Sequence, residues 1–155
     1  MQFLSHSPAE TLSFGERLGK LLQPGDVLCL SGDLGAGKTL FVQGLAQGLR
    51  LPDEVTSPTF TVLNIYEGQV TIYHFDLYRL DWPEQLDDIG FDEYTNNDGI
   101  AVIEWPEKFP DRMPEEALRI AITKAGDNGR LFSVTPCGCR YESLYEELKR
   151  DAPGY

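Results

Sequence analysis

Long apolar runs, basic charge and paired cysteines are all scarce in this chain, and each scarcity closes off a class of function. No apolar run approaches the roughly 20 residues that a membrane span requires. The opening Met1-Gln2-Phe3-Leu4-Ser5-His6 also lacks the basic region and apolar core of a secretion signal. Only 13 Lys and Arg stand against 25 Asp and Glu, for a formal net charge of −12. Such a surface repels phosphate backbones, which argues against direct, electrostatically driven nucleic-acid binding and leaves the acid-rich stretches as solvated faces or protein-docking surfaces. Cys29, Cys137 and Cys139 are an odd number, and Cys137-Gly138-Cys139 is too close a spacing for a zinc pair, with no second pair elsewhere. Free thiols in a reducing cytoplasm are the expectation. Repeats, low-complexity tracts and linkers are missing too, so 155 residues read as a single domain over residues 1–155.

What is present is a phosphate-binding signature. Gly32-Asp33-Leu34-Gly35-Ala36-Gly37-Lys38-Thr39 matches G-x-x-x-x-G-K-[ST], the P-loop. The apolar run Val27–Leu30 before it reads as a buried strand, and Leu40, Phe41, Val42, Leu45, Ala46 and Leu49 after it read as one face of a helix. A strand feeding a glycine loop into a helix start aims backbone N–H groups and the positive dipole end at one point. The expected nucleotide contacts therefore run through Asp33, Leu34, Gly35, Ala36, Gly37, Lys38, Thr39 and Leu40. Lys38 is placed to reach the β- and γ-phosphates and the Thr39 hydroxyl to hold Mg²⁺.

The rest of the chain reads as α/β with antiparallel additions. Ser7-Pro8-Ala9-Glu10 is a helix start, with Ser7 as N-cap and Glu10 completing a capping box, and Pro24-Gly25 ends that helix. Phe60–Tyr66 and Val70–Phe75 form a hairpin about Glu67-Gly68. Tyr78 to Tyr94 reads as short helices and loops, and Ile100–Ile103 as a strand buried on both faces. Leu118, Ile120 and Ile122 pair with Leu131–Val134 across Gly126–Gly129, and Tyr141–Arg150 closes the chain as a helix. The fold expected is a single-domain P-loop NTPase with a mixed, partly antiparallel sheet flanked by helices.

Ligands of open α/β sheets bind beyond the carboxyl ends of the strands. Glu104 and Asp76 stand at two such ends, where either holds Mg²⁺, directly or through water, or orients the attacking water. Which of the two touches the metal is left open. Ser57-Pro58-Thr59 lies in the connector where P-loop switches sense the γ-phosphate, so Thr59 joins the candidates. His74 reads as a structural histidine rather than a proton shuttle. There is no N-K-x-D for guanine and no arginine-rich lid of the small-molecule kinase kind.

Four blocks occurring in order match one family: the P-loop, Ser57-Pro58-Thr59-Phe60-Thr61, His74-Phe75-Asp76-Leu77-Tyr78-Arg79-Leu80 and Ile103-Glu104-Trp105-Pro106-Glu107. Over roughly Ser7 to Val134 the chain resembles the TsaE family, small ATPases of the bacterial machinery that makes threonylcarbamoyladenosine in tRNA. The resemblance implies ATP and Mg²⁺ at the P-loop, with Asp76 and Glu104 serving metal and hydrolysis and Ser57–Thr59 as a nucleotide-sensitive switch. Trp105 would lie beside the nucleotide, with further contacts from Thr11 and Arg130. It also implies weak hydrolysis alone, partners TsaB and TsaD, and tRNA reached only through that complex. Two rival readings are a nucleotide-gated binding module and a small-molecule kinase, the latter lacking its lid.

Overall fold

Seven strands form one mixed sheet in the computed structural model, which describes residues 1–33, 35–52, 55–58 and 61–150. The strands are β1 (Gln2–Ser5), β2 (Val27–Ser31), β3 (Leu63–Tyr66), β4 (Ile72–Asp76), β5 (Ile100–Glu104), β6 (Ala117–Ala125) and β7 (Gly129–Cys137). The helices are α1 (Pro8–Leu21), α2 (Lys38–Gly48), α3 (Glu84–Asp88), α4 (Phe91–Thr95) and α5 (Cys139–Arg150), with 3₁₀ turns at Pro106–Lys108 and Pro110–Arg112. The order across the sheet is β1-β7-β6-β2-β5-β4-β3. The central strands β6, β2, β5 and β4 run parallel, while β7 and β3 pair antiparallel to their neighbours. The mixed α/β architecture expected of the sequence is therefore present, including both hairpins.

Several elements differ from expectation, among them β3, which starts at Leu63, and β7, which extends over Gly129–Cys137. β1 pairs with β7 through Phe3↔Phe132, and four residues are too few for periodicity to reveal a strand. β4 runs two residues further in than expected and takes in Asp76 as its last residue. α5 starts at Cys139 rather than Tyr141. The N-cap of α1 forms as read, with Glu10 N–H donating to Ser7 Oγ at 3.2 Å. The return bond of the box goes one residue further back, from His6 N–H to Glu10 Oε2 at 2.7 Å.

Strand alternation divides the core in two. Leu28, Leu30, Val102, Ile120, Ile122 and Phe132 face α1, α2 and α5 in a cluster centred on Phe14, Phe41 and Leu45. Phe14 and Phe132 meet edge to face at 5.0 Å between centroids, and Phe41 and Phe132 are 5.3 Å apart. Val27, Cys29, Phe75, Ala101 and Ile103 face the other way, onto Leu86 of α3 and Phe91 of α4.

Glycines set the separation of α1 and α2. A methyl on Gly15 would sit 2.5 Å from Phe41 O, and one on Gly44 would lie 3.0 Å from Gly15 Cα and closer still to Leu12 O. Gly19 and Gly48 repeat the contact one turn on. At the far end of the sheet, Arg140 donates to both carboxylate oxygens of Asp26 at 2.9 and 2.8 Å, and Tyr141 Oη accepts from Val27 N–H. These bonds fix α5 against the start of β2, the strand that leads into the glycine loop.

Candidate nucleotide site

The end of β2 turns into the glycine loop because the next residues adopt backbone that side chains resist. Gly37 has φ +102°, and it serves as N-cap of α2 with no side-chain acceptor. α1, by contrast, is capped by Ser7. The first-turn N–H groups of α2 have no intrahelical acceptors, and no acidic side chain lies in that turn, so the helix presents donors and its positive dipole end to the adjoining cavity.

That cavity, about 300 Å³, is lined by Gly35, Gly37, Lys38, Thr39, Leu40, Ser57, Asp76 and Glu104. It collects most of the phosphate-side residues picked out from sequence. Leu34 and Thr59, two further candidates, lie outside the described residues, although Ser57 brings the same connector to the cavity wall. Asp33 and Ala36 line a neighbouring hollow of about 340 Å³ with Gly32, Ile122, Thr123 and Lys124. Thr11 and Arg130 meet on the other flank, in a small hollow of about 60 Å³ that shares Gly37 and Leu40 with the main cavity.

Charge at the site is concentrated and buried. Asp76 is 1% exposed, Glu104 3% and Lys38 6%. Lys38 Nζ donates to Gly32 O at 2.6 Å, lies 3.7 Å from Glu104 Oε1, and sits 4.2 Å from the centre of the Trp105 ring. Burial pushes the Lys38 ammonium below its ordinary pKa, while Glu104, Asp76, Glu107 and Asp33 pull it back up. The parallel register sets Asp76 directly beside Glu104. Both acids are oriented by their own chain: Tyr78 N–H donates to Asp76 Oδ1 at 2.9 Å, and His74 Nε2 lies 2.5 Å from Glu104 Oε2. Two buried carboxylates facing one ammonium leave local negative charge, which suits a divalent cation with oxygen ligands. Thr39, Ser57, Asp76 and Glu104 are the lining residues that carry side-chain oxygens.

Several supports could not be read from sequence. Arg130, expected to contact a ligand, donates from Nε to Ala36 O at 2.8 Å and so holds the glycine loop itself. The Thr11 hydroxyl shares a 2.7 Å hydrogen bond with Ser5 Oγ, so this side chain is tied into β1. Trp105 takes φ +61°, a left-handed conformation uncommon for an aromatic residue, and its ring lies against Tyr78 at 4.9 Å between centroids. His74 is a buried partner of Glu104 that its pattern did not disclose. Its only sequence signal was its place two residues before Asp76, hence on the same strand face.

Comparison with known proteins gives the family. The family model described as "Threonylcarbamoyl adenosine biosynthesis protein TsaE" matches residues 5–132. The tRNA threonylcarbamoyladenosine biosynthesis protein TsaE of Bacillus subtilis is 43% identical over 145 residues, 93% of this chain and 90% of that protein. Its counterpart in Treponema pallidum is 43% identical over 134 residues, covering 86% of this chain and 99% of the relative. The crystal structure of Bacillus subtilis YdiB superposes with a TM-score of 0.82 at 38% identity, over 97% of this chain and 94% of that one. The glycine loop, the paired acids and the Trp105 turn all fall within the matched span, and the chain belongs to the TsaE family.

Proposed function

We propose that this chain binds ATP with Mg²⁺ in the Lys38–Asp76–Glu104 cavity and hydrolyses it, in support of the tRNA threonylcarbamoyladenosine biosynthesis for which its family is named. One observation carries the reading: a helix start without a side-chain cap, a buried ammonium and two buried carboxylates converge on a single cavity. The α2 N–H groups and Lys38 bind the β- and γ-phosphates, and the Trp105 ring keeps the ammonium in place from behind. Thr39 and Asp76 would hold Mg²⁺, which would neutralise phosphate charge. Glu104, whose Oε2 is engaged by His74, directs Oε1 to the cavity, where it orients the attacking water or supports the metal through water. The hollow between Thr11, Asn128 and Arg130 takes the nucleoside end.

Turnover by the isolated chain is expected to be weak, because the phosphoryl is fully surrounded only when a partner completes the wall of the cavity at Ser57. The partner we propose is the complex of TsaB and TsaD, in the cytoplasm. The excess of acidic over basic residues leaves contact with tRNA to those subunits. The test is ATP hydrolysis by the purified chain, alone and with TsaB and TsaD, alongside co-elution with and without ATP. Weak turnover that changes on addition, with ATP-dependent co-elution, is the expected result. Turnover indifferent to both subunits, with no co-elution, would sink the pathway role and leave a bare hydrolase.

A further inference from the structure

Lys38, Asp76 and Glu104 account for the charge of the cavity, and His74 is left over. It is completely buried, in a position where an apolar side chain would avoid the cost of dehydrating an imidazole. Its two nitrogens fare differently. Nδ1 is buried with no hydrogen-bond partner among the described residues. Nε2 lies 2.5 Å from Glu104 Oε2. A carboxylate has only acceptors to offer, so Nε2–H is the donor. A histidine kept for packing gains nothing from an orphaned nitrogen, whereas here the one satisfied nitrogen points at a site acid.

The strand geometry makes this placement systematic. His74 and Asp76 are two residues apart on β4 and so share a face, and the register puts Asp76 beside Glu104. His74 therefore stands one pleat behind Glu104, on the side away from the strand ends. A glutamate has three side-chain torsions, and an unanchored carboxylate at a cavity wall would sample several directions. Holding Oε2 leaves Oε1 as the oxygen that faces Lys38 at 3.7 Å. Asp76 is held in a parallel way, by the Tyr78 N–H.

We infer that His74 is the positioning residue for Glu104: its Nε2–H fixes one carboxylate oxygen so that the other is aimed into the phosphate cavity. This rests on the nucleotide reading of the site given above. Loss of such an anchor lowers turnover while leaving nucleotide affinity in place, because the phosphates are gripped by α2 and Lys38 rather than by His74.

Two substitutions separate positioning from packing. His74→Gln carries an amide N–H close to where Nε2 lies, and His74→Asn ends near Nδ1 and falls short of Glu104. The Asn variant is expected to lose about ten-fold or more in kcat, with ADP affinity and the KM for ATP within about three-fold of wild type, and the Gln variant to recover most of the loss. A readout independent of turnover comes from the imidazole itself, since His6 and His74 are the only histidines. In ¹H–¹⁵N spectra of the full chain, the His74 Nε2–H is expected as a slowly exchanging proton that moves on Glu104→Gln. Equal behaviour of Asn and Gln, parallel loss of kcat and ADP affinity, or an Nε2–H indifferent to Glu104→Gln would each overturn the inference, the spectrum deciding if either variant fails to fold. A wild-type chain that neither binds ADP nor hydrolyses ATP would instead bring down the nucleotide reading, and this inference with it.

Discussion

On one face of the sheet, α1 and α2 run 14 and 11 residues and touch backbone to backbone through Gly15, Gly19, Gly44 and Gly48. On the other, α3 and α4 have five residues each, packed on the sheet through Leu86 and Phe91, and polar bonds tie down the chain between elements. Lys108 Nζ donates to Tyr78 O and Arg112 to Pro83 O, while Trp105 leans on Tyr78. The first face is a rigid bed whose product is a fixed α2 N-terminus. The second is a set of short turns that set the direction of Asp76 and of the residue after Glu104. Lys38, His74, Asp76 and Glu104 thus all side with the close-packed face, whereas the turns that follow Asp76 and Glu104 lean on the short-element face, where local opening costs less.

Substitutions at the junction and on each face separate these roles. The largest effect is expected where the faces meet: Lys38→Ala should lower hydrolysis by about 10²–10³, by analogy with loss of a single transition-state donor. Normal turnover by that variant, read in a phosphate-release assay, would remove the site assignment. Next comes the close-packed face. Gly44→Val drives methyl groups into the α1 backbone and is expected to cost about 3 kcal/mol, or roughly 6–12 °C in Tm. A calorimetric Tm unchanged by the valine would mean the helices have room to part and that the bed is not rigid.

The smallest effect belongs to the second face and is a pH dependence. Cys29 is buried in β2 toward α3 and α4, and burial pushes its thiol up from 9.0 to about 11. A folded-state pKa above the unfolded one gives stability that is fully present below pH 9 and is lost as pH rises through about 11. Two units correspond to about 2–3 kcal/mol. Denaturant melts of wild type and Cys29→Val across that window should diverge by this order, the valine losing less. Parallel curves would show that the thiol is not buried as described.

Much of this was legible in advance because it rests on local chemistry. Ser7 and Glu10 announce a helix start, Val27–Leu30 and Ile100–Ile103 announce buried strands, and the glycine–lysine–threonine loop announces itself by spacing. Asp76 and Glu104 were readable as strand-end acids, and they adjoin as paired residues of β4 and β5. What escaped is contact between residues far apart in sequence. Nothing near Arg130 says that it will hold the carbonyl of Ala36, 94 residues away. Nor does His74 disclose a partner 30 residues on, since a lone histidine in an apolar strand carries no sign of which nitrogen is used.

The residue order alone settled most of the elements, the glycine loop and the chemical kind of group at two strand ends, because backbone propensity, burial pattern and side-chain chemistry act over a few neighbours. Only the tertiary structure decided which oxygen of Glu104 faces the cavity, what sits on the Lys38 ammonium and how closely α2 approaches α1. Those are set by strand register, by a tryptophan in left-handed backbone and by glycines meeting across two helices. Such contacts depend on where distant segments pack, and no local rule encodes that.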